Sequence, residues 1–311
     1  MALRYDTISF LSDYGLDDEF VGVVKSVIRS IAPDAAVVDI THQVTPYDVR
    51  AGSLTLARSA QYLCPGVVVA VVDPGVGGER RSIAVEVGDG ISVLIGPDNG
   101  LLAPAVGLVG GASRAVELTN DDYQLAAPGP TFAGRDIFAP AAAYLCQGVD
   151  LLELGTEIDP AGLLPGVMPL SHIDDDGALA AEVLWIDRYG NAQLNVDPDD
   201  VTAFGERMRL RAAGGSRTAR RAGTYHEIGP GEVGLVIDSY GLLSIVADRR
   251  SAAVELSLEP GAAVHLEAFD DSQEGDAARG ITTPVEIGRR SPATTAPGVT
   301  TLDRLDPQED A

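Results

Sequence analysis

Short apolar runs alternate with stretches of helical spacing through the first half of the chain. Thr7 to Leu11 is a strand-like run that closes on Ser12-Asp13. Phe20, Val21, Val24, Ile28 and Ile31 then recur on one helix face, which predicts a helix over Glu19 to Ile31. Ala36 to Ile40 reads as a buried strand and Val49 to Ala60 as a helix. Gly66 to Val72, Ser82 to Val87 and Ile91 to Ile95 read as further strands, and Ile137 to Gln147 as a helix of small residues. Repeated strand-then-helix units predict an α/β fold, with a largely parallel sheet covered by helices on both faces. Chemistry in such a sheet belongs at the C-terminal strand ends, where Asp13, His42, Asp73 and Asp98 fall.

The pattern changes after Leu164 to Gly177, a stretch rich in Pro, Gly and Asp. Leu179 to Ile186, Met208 to Ala212, Glu232 to Asp238, Leu243 to Ala247 and Ala263 to Glu267 are short strands at close intervals, with little helix between them. They predict a small β domain, a barrel or a sandwich. The expected organisation is therefore an α/β domain over 1–165, a linker over 166–177, a β domain over 178–271 and a tail over 272–311. The tail is rich in Thr, Pro, Asp and Gly and holds no aromatic residue, a composition that predicts disorder.

Composition narrows the partners. The 311 residues are 45% hydrophobic, enough for real cores, and carry a net charge of −24. That charge argues against nucleic acid or an anionic membrane surface as a partner, and it suits a cationic small molecule. No basic and apolar leader opens the chain, and no run approaches the ~20 apolar residues of a membrane span, so a cytoplasmic protein is expected. Cys64 and Cys146 stand far apart in apolar surroundings and read as buried free thiols. The four histidines show no HxH or HExxH spacing, so no metal site is expected.

The chemistry-bearing segments lie in turns. Val71 to Arg80, reading VVDPGVGGER, delivers one carboxylate, Asp73, to a Gly- and Pro-rich turn with Arg80 and Arg81 following at once. A glycine-rich connection with a surface ion pair is the plain reading, and an acid presented for catalysis is the other. Ser12 to Asp18 places Asp13, Asp17 and Asp18 between a strand end and a helix start, more acids than helix capping needs. A carboxylate on a ribose diol is the functional alternative. Without GxGxxG or GxxxxGK[ST], the ligand that fits is a nucleoside lacking phosphates. Thr131 to Asp136, Asp187 to Asn191 and Asp238 to Gly241 each pass for an ordinary turn when taken singly.

Taken in order, these segments resemble one family. Asp13-Tyr-Gly-x-x-Asp18, Asp39-Ile-Thr-His42, Asp73-Pro-Gly-Val-Gly, Gly96-Pro-Asp-Asn-Gly100, Phe132-x-Gly-Arg-Asp136, Tyr189-Gly-Asn191 and Ser239-Tyr-Gly241 are similar to the motifs of the S-adenosyl-L-methionine (SAM) hydroxide adenosyltransferases, relatives of the fluorinase and chlorinase. The resemblance spans about Thr7 to Phe269. It implies hydrolysis of SAM to adenosine and L-methionine, no cofactor, and a homotrimer with active sites between subunits. Asp73 and Arg80 match the catalytic pair, where the halogenating relatives have Tyr and Thr. By position, Asp18 matches the acid on the ribose diol and Tyr47 an aromatic beside the ribose and sulfonium. Phe132 and Gly134 match the C5′ side, Asp187 the contact to the methionine ammonium and Ser239 the contact to its carboxylate. Asn191 and Tyr225 match adenine contacts, with Tyr189 beside the ring and the backbone near Arg249 completing its edge. One departure stands out. Where the hydrolases usually carry a His between Phe and Gly, this chain has Ala133. The readings left open are a hydrolase running on Asp73 and Arg80, a position that has been substituted, a SAM or adenosine binder with weak or no turnover, and a SAM-dependent halogenase.

Overall fold

The computed structural model describes residues 4–269, and the tail expected over 272–311 lies outside them. Strands β1 (Thr7–Ser12), β2 (Ala36–Thr41), β3 (Val67–Val71), β4 (Ser82–Val87), β5 (Ser92–Pro97), β6 (Ala112–Glu117) and β7 (Thr156–Ile158) form one sheet in the order β2-β1-β3-β5-β4-β6-β7. The pairs β1–β2, β1–β3 and β3–β5 are parallel, and β4–β5, β4–β6 and β6–β7 are antiparallel. Five strands therefore run one way, and only β4 and β7 oppose them. The order reverses around β1 and β3, so both strands end side by side at the carboxyl edge and deliver Asp13 and Asp73 to neighbouring positions.

The unbroken apolar run of β3 follows from its place in the middle of the sheet. Val67, Val69 and Val71 point to the face packed by α1 (Phe20–Ile31) and α4 (Ala139–Cys146), whereas Val68, Ala70 and Val72 point to the face packed by α2 (Val49–Ala60) and α3 (Ala103–Leu108). With both faces covered, a polar side chain in β3 would have to find a hydrogen-bond partner inside the core. The Asp48 carboxylate caps α2, accepting the Ala51 amide at 2.8 Å.

The second sheet contains β8 (His172–Ile173), β9 (Leu179–Ile186), β10 (Ala192–Leu194), β11 (Arg207–Ala212), β12 (Gly215–Arg221), β13 (Val233–Ile237), β14 (Leu243–Ala247) and β15 (Ala263–Ala268). Its order runs β10-β14-β13-β12-β11-β15-β9-β8, and β10 also pairs with β9. That last pairing closes seven strands into a barrel around Val183, Leu194, Met208, Leu235, Ile245, Val264 and Leu266. Of the two forms expected, a barrel or a sandwich, the barrel is found. Helix α5 (Ala252–Leu256) follows β14. Arg50 of α2 bonds Glu182 of β9, which ties the barrel to the sheet's helical layer.

Two details depart from expectation. Cys146 is buried, but Cys64 is exposed, because the loop between α2 and β3 carries it to the surface. The small-residue helix begins with a π turn over Gly134–Phe138, in which the Ala139 amide reaches back five residues to the Gly134 carbonyl.

The barrel contains a pair of twin turns. Asp187-Arg-Tyr-Gly-Asn191 joins β9 to β10, and Asp238-Ser-Tyr-Gly-Leu242 joins β13 to β14. In each, the first carboxylate accepts the amides two and four residues on, at 2.8 and 2.8 Å in one and 2.8 and 3.2 Å in the other. Each closes on a left-handed glycine, Gly190 (φ 84°) and Gly241 (φ 83°). Their surroundings differ. A Cβ at Gly190 would lie 2.1 Å from Ser251 Oγ and 2.7 Å from the Ser251 Cα, whereas one at Gly241 would meet nothing within 4 Å. Gly241→Ala should cost about 1 kcal/mol of left-handed strain, and Gly190→Ala a further ~1–3 kcal/mol of overpacking. Denaturant midpoints of the two variants measure the difference.

Candidate active site

The carboxylate of Asp73 is the fixed point of the sheet's carboxyl edge. It follows β3 directly and its side chain is 5% exposed. Arg80, brought back by the glycine turn, grips it as a fork, with Nε 2.9 Å from Oδ1 and Nη2 on Oδ2. The remaining terminal nitrogen of Arg80 donates to Ser82 Oγ at 2.7 Å, and the guanidinium lies 5.7 Å from the centre of the Phe138 ring. The neighbouring Arg81 turns the other way. It pairs with Asp98 and donates to the Gly162 carbonyl, while Asp98 also accepts the Leu164 amide. Arg81 and Asp98 therefore anchor the chain leaving the first sheet, and only Arg80 serves Asp73.

A second carboxylate stands beside the first. Asp13 Oδ2 accepts the Tyr47 amide at 2.9 Å. Burial pushes the Asp13 carboxyl above the usual range and the charge of Asp73 adds to this, against the pull of hydrogen bonds from the Tyr47 and Asp13 backbones. The bond to Asp13 holds Tyr47 in a left-handed conformation (φ 68°) with its ring 74% exposed. Tyr14, next along, packs edge-on to Phe132 at 5.7 Å, and Phe132 packs edge-on to Phe20 at 5.1 Å. Gly134 lies against the Tyr14 hydroxyl, where a Cβ would come within 2.2 Å of it. His42 is buried and braces this corner from below. Its Nδ1 lies 2.8 Å from Ser12 Oγ, its Nε2 3.1 Å from Asp39 Oδ1, and its carbonyl accepts the Gly15 amide. Asp18 is exposed just before α1. Asp73, Arg80, Tyr47, Phe132 and Gly134 thus share one edge of the sheet.

The barrel holds the other expected residues. Asp187, Tyr189, Asn191, Tyr225 and Arg249 line a cleft of about 650 Å³ together with His226, Asp248, Arg250 and Ser251. Arg249 is left-handed (φ 52°), as Tyr47 is, and such conformations in residues other than glycine concentrate at functional positions. Both oxygens of Asp187 are engaged by its own turn, Oδ2 accepting the Asn191 side-chain amide at 2.8 Å. Burial pushes the Tyr225 hydroxyl pKa up, with the charges of Asp187 and Asp238 adding to it. Ser239 lies exposed on the second turn and does not line the cleft. All the lining residues belong to the barrel half, and none of the Asp73 group borders the cleft.

The sequence placed Asp13 at a functional strand end without singling out its role, and gave none to Tyr14, Ser251 or Arg58. The Asp13-Tyr14-Gly15 motif was a signal for the first two. Arg58 of α2 lies 4.3 Å over the Trp185 ring and 5.9 Å from that of Tyr240, and burial lowers its pKa to about 10. Nothing local to Arg58 announces this.

Both halves match known sequences. Residues 8–155 match the profile of the SAM hydroxide adenosyltransferase N-terminal domain, and residues 181–265 that of the C-terminal domain. The chain is 42% identical over 254 residues to an (R)-S-adenosyl-L-methionine hydrolase of Salinispora arenicola, covering 82% of this chain and 95% of that one. It is 39% identical to the protein of the same name from Thermus thermophilus, covering 83% and 98%. A fluorinase of Actinopolyspora mzabensis is 27% identical, covering 64% and 74%. An uncharacterized conserved protein from Thermotoga maritima superposes with a TM-score of 0.77 at 32% identity, covering 84% of this chain and 99% of that one.

The raised carboxyl of Asp13 yields a sign. A group whose folded pKa lies above its unfolded value stabilises the fold below the ordinary carboxylate pKa, and that contribution disappears as pH rises through the folded value. Asp13→Asn keeps an acceptor for the Tyr47 amide and removes the charge. Relative to the parent, its melting temperature should therefore gain between pH 4 and pH 7, as read by paired thermal melts.

Proposed function

The chain belongs to the SAM hydroxide adenosyltransferase family, and we propose that it hydrolyses (R)-S-adenosyl-L-methionine to adenosine and L-methionine. The observation that carries this reading is the buried Asp73 carboxylate in the fork of Arg80, at the carboxyl end of a central strand. The substrate's sulfonium makes methionine a neutral leaving group, so displacement at C5′ needs chiefly a well-placed nucleophile. Water with a pKa of ~15.7 is a poor one unless oriented and relieved of a proton. Asp73 accepts a hydrogen bond from that water, and Arg80 holds the carboxylate at one angle to the line of attack. Such general-base assistance is worth roughly 10²–10⁴-fold. An ionic pair favours water here, since a fixed carboxylate repels halide.

In the same reading, Asp18 and Tyr47 hold the ribose, and Phe132 and Gly134 wall the C5′ side. Asn191, Tyr189, Tyr225 and the backbone at Arg249 receive the adenine in the 650 Å³ cleft. Asp187 and Ser239 face the methionine end. Because Asp187 already supports its turn, its contact to the ammonium would use the lone pairs left over. The acidic balance of the chain suits the cationic substrate. Free Cys64 and Cys146 suit a reducing compartment, and we place the protein in the cytoplasm.

The cleft is lined by barrel residues alone, which supports a homotrimer in which one subunit brings its Asp73 group to the cleft of the next. Purified protein given SAM should release adenosine and methionine in equal amounts, with no halogenated nucleoside when chloride is added. SAM binding without product would leave a binding protein instead. Asp73→Asn should lower kcat about 100-fold or more with little change in KM, whereas equal losses in binding would assign Asp73 to the substrate. Mixing unfolded Asp73→Asn and Asn191→Ala chains and refolding them together should restore up to about a quarter of parent activity, from the sites that pair two intact halves. No restoration would place each site within one subunit.

A further inference from the structure

The edge that presents Asp73 carries a second hydroxyl-bearing group with no assigned role. Tyr14 sits on the corner after β1, its ring enclosed by Phe10 at 6.4 Å, Phe20 at 5.7 Å and Phe132 at 5.7 Å. A ring held on three sides has little rotational freedom, so its hydroxyl occupies one place. That place lies against Gly134, with the Tyr14 oxygen so near that a Cβ at position 134 would be 2.2 Å from it. The need for glycine at 134 is thereby explained by one atom, Tyr14 Oη, rather than by backbone conformation.

The surroundings determine what that oxygen can do. Ala133, immediately before Gly134, contributes only a buried methyl group. The Gly134 amide and the Arg80 guanidinium favour negative charge on the Tyr14 oxygen, but burial, Asp13 and Asp73 outweigh them and push its pKa far up. The phenol therefore keeps its proton at neutral pH and can act as a donor, on a corner whose preceding residue, Asp13, donates its amide to the Val71 carbonyl just before Asp73. No side chain or carbonyl among the described residues takes that proton in a hydrogen bond.

We propose that the Tyr14 hydroxyl is a third polar group at the attacking water, standing where Ala133 supplies none. Asp73 accepts one hydrogen of the water. The Tyr14 hydroxyl donates to a lone pair, leaving the other lone pair aimed at C5′. The oxygen–carbon bond forms as the carbon–sulfur bond breaks, its electron pair leaves on the sulfur of methionine, and the water's proton passes to Asp73. Tyr14 keeps its own proton throughout. It therefore positions the nucleophile and does not act as a base.

This inference rests on the hydrolase reading, and the experiment keeps the two apart. The parent enzyme's adenosine release tests the reading. The ratio of Tyr14→Phe to parent tests Tyr14. Removing one hydroxyl bond to the nucleophile should lower kcat about tenfold or more. KM for SAM and the affinity for adenosine should stay within about threefold, because the ring and its three aromatic contacts remain. Adding Ala133→His to Tyr14→Phe should recover part of the lost rate, since an imidazole there would reach the same region. A Tyr14→Phe enzyme with kcat within about twofold of the parent overturns the proposal. So does a loss of rate matched by an equal loss of adenosine affinity, which would make Tyr14 a ligand-holding residue. An inactive parent that binds SAM overturns the hydrolase reading itself.

Discussion

A carboxylate almost wholly removed from water needs its charge met, and Asp73 meets that need with the single side chain of Arg80. Much of the first sheet follows from this requirement. The turn between β3 and β4 must bring Arg80 back over the strand end it has just left, which accounts for its run of Pro74, Gly75, Gly77 and Gly78. A Cβ at Gly77 would lie 2.8 Å from the Pro130 carbonyl, so the turn is also pressed against the segment that leads to Phe132 and Gly134. The guanidinium then leans on Phe138 at the far end of the π turn. One ion pair thus helps fix the relative positions of two chain segments some fifty residues apart, 73–82 and 130–138.

The opposite solution appears one residue later. Arg81 pairs with Asp98 and a carbonyl near the exit from the first sheet, so adjacent arginines divide between the candidate site and the architecture. Residue type alone does not tell them apart, although the family resemblance singled out Arg80. Their separation is a consequence of strand geometry, since successive residues entering β4 point to opposite faces.

Much of this molecule was legible before any coordinates. The apolar run of β3 and the helical stripe of α1 are local signals, and both elements lie where those signals put them. The ordered turn motifs were legible because turn chemistry is written in few residue types. What stayed hidden depends on distant partners. Strands β6, β7, β8, β10 and β12 were not anticipated: β7 and β10 are three residues long, β8 is two residues long within the expected linker, and β12 carries three arginines on a barrel wall that needs few apolar positions. Closure of the barrel rests on the β9–β10 pairing, which hydrophobic patterning cannot specify. Cys64 looked buried because its neighbours are apolar, yet the loop lifts it out. Tyr14 stood in plain view within a motif, but its meaning comes from a glycine 120 positions further along.

The π turn at Gly134–Phe138 amounts to one residue more than an α-helix would use over the same span. An ordinary α-helical start would turn everything ahead of α4 by about 100° around the helix axis. The packed face of α4 itself would be untouched, but Phe138, fully buried within the turn, would leave its place in the core. Phe132 and Gly134 would swing away from Tyr14 as well. The π turn thus ties a core residue, Phe138, to the alignment of Phe132 and Gly134 at the candidate site, and a length change of one residue is enough to disturb both.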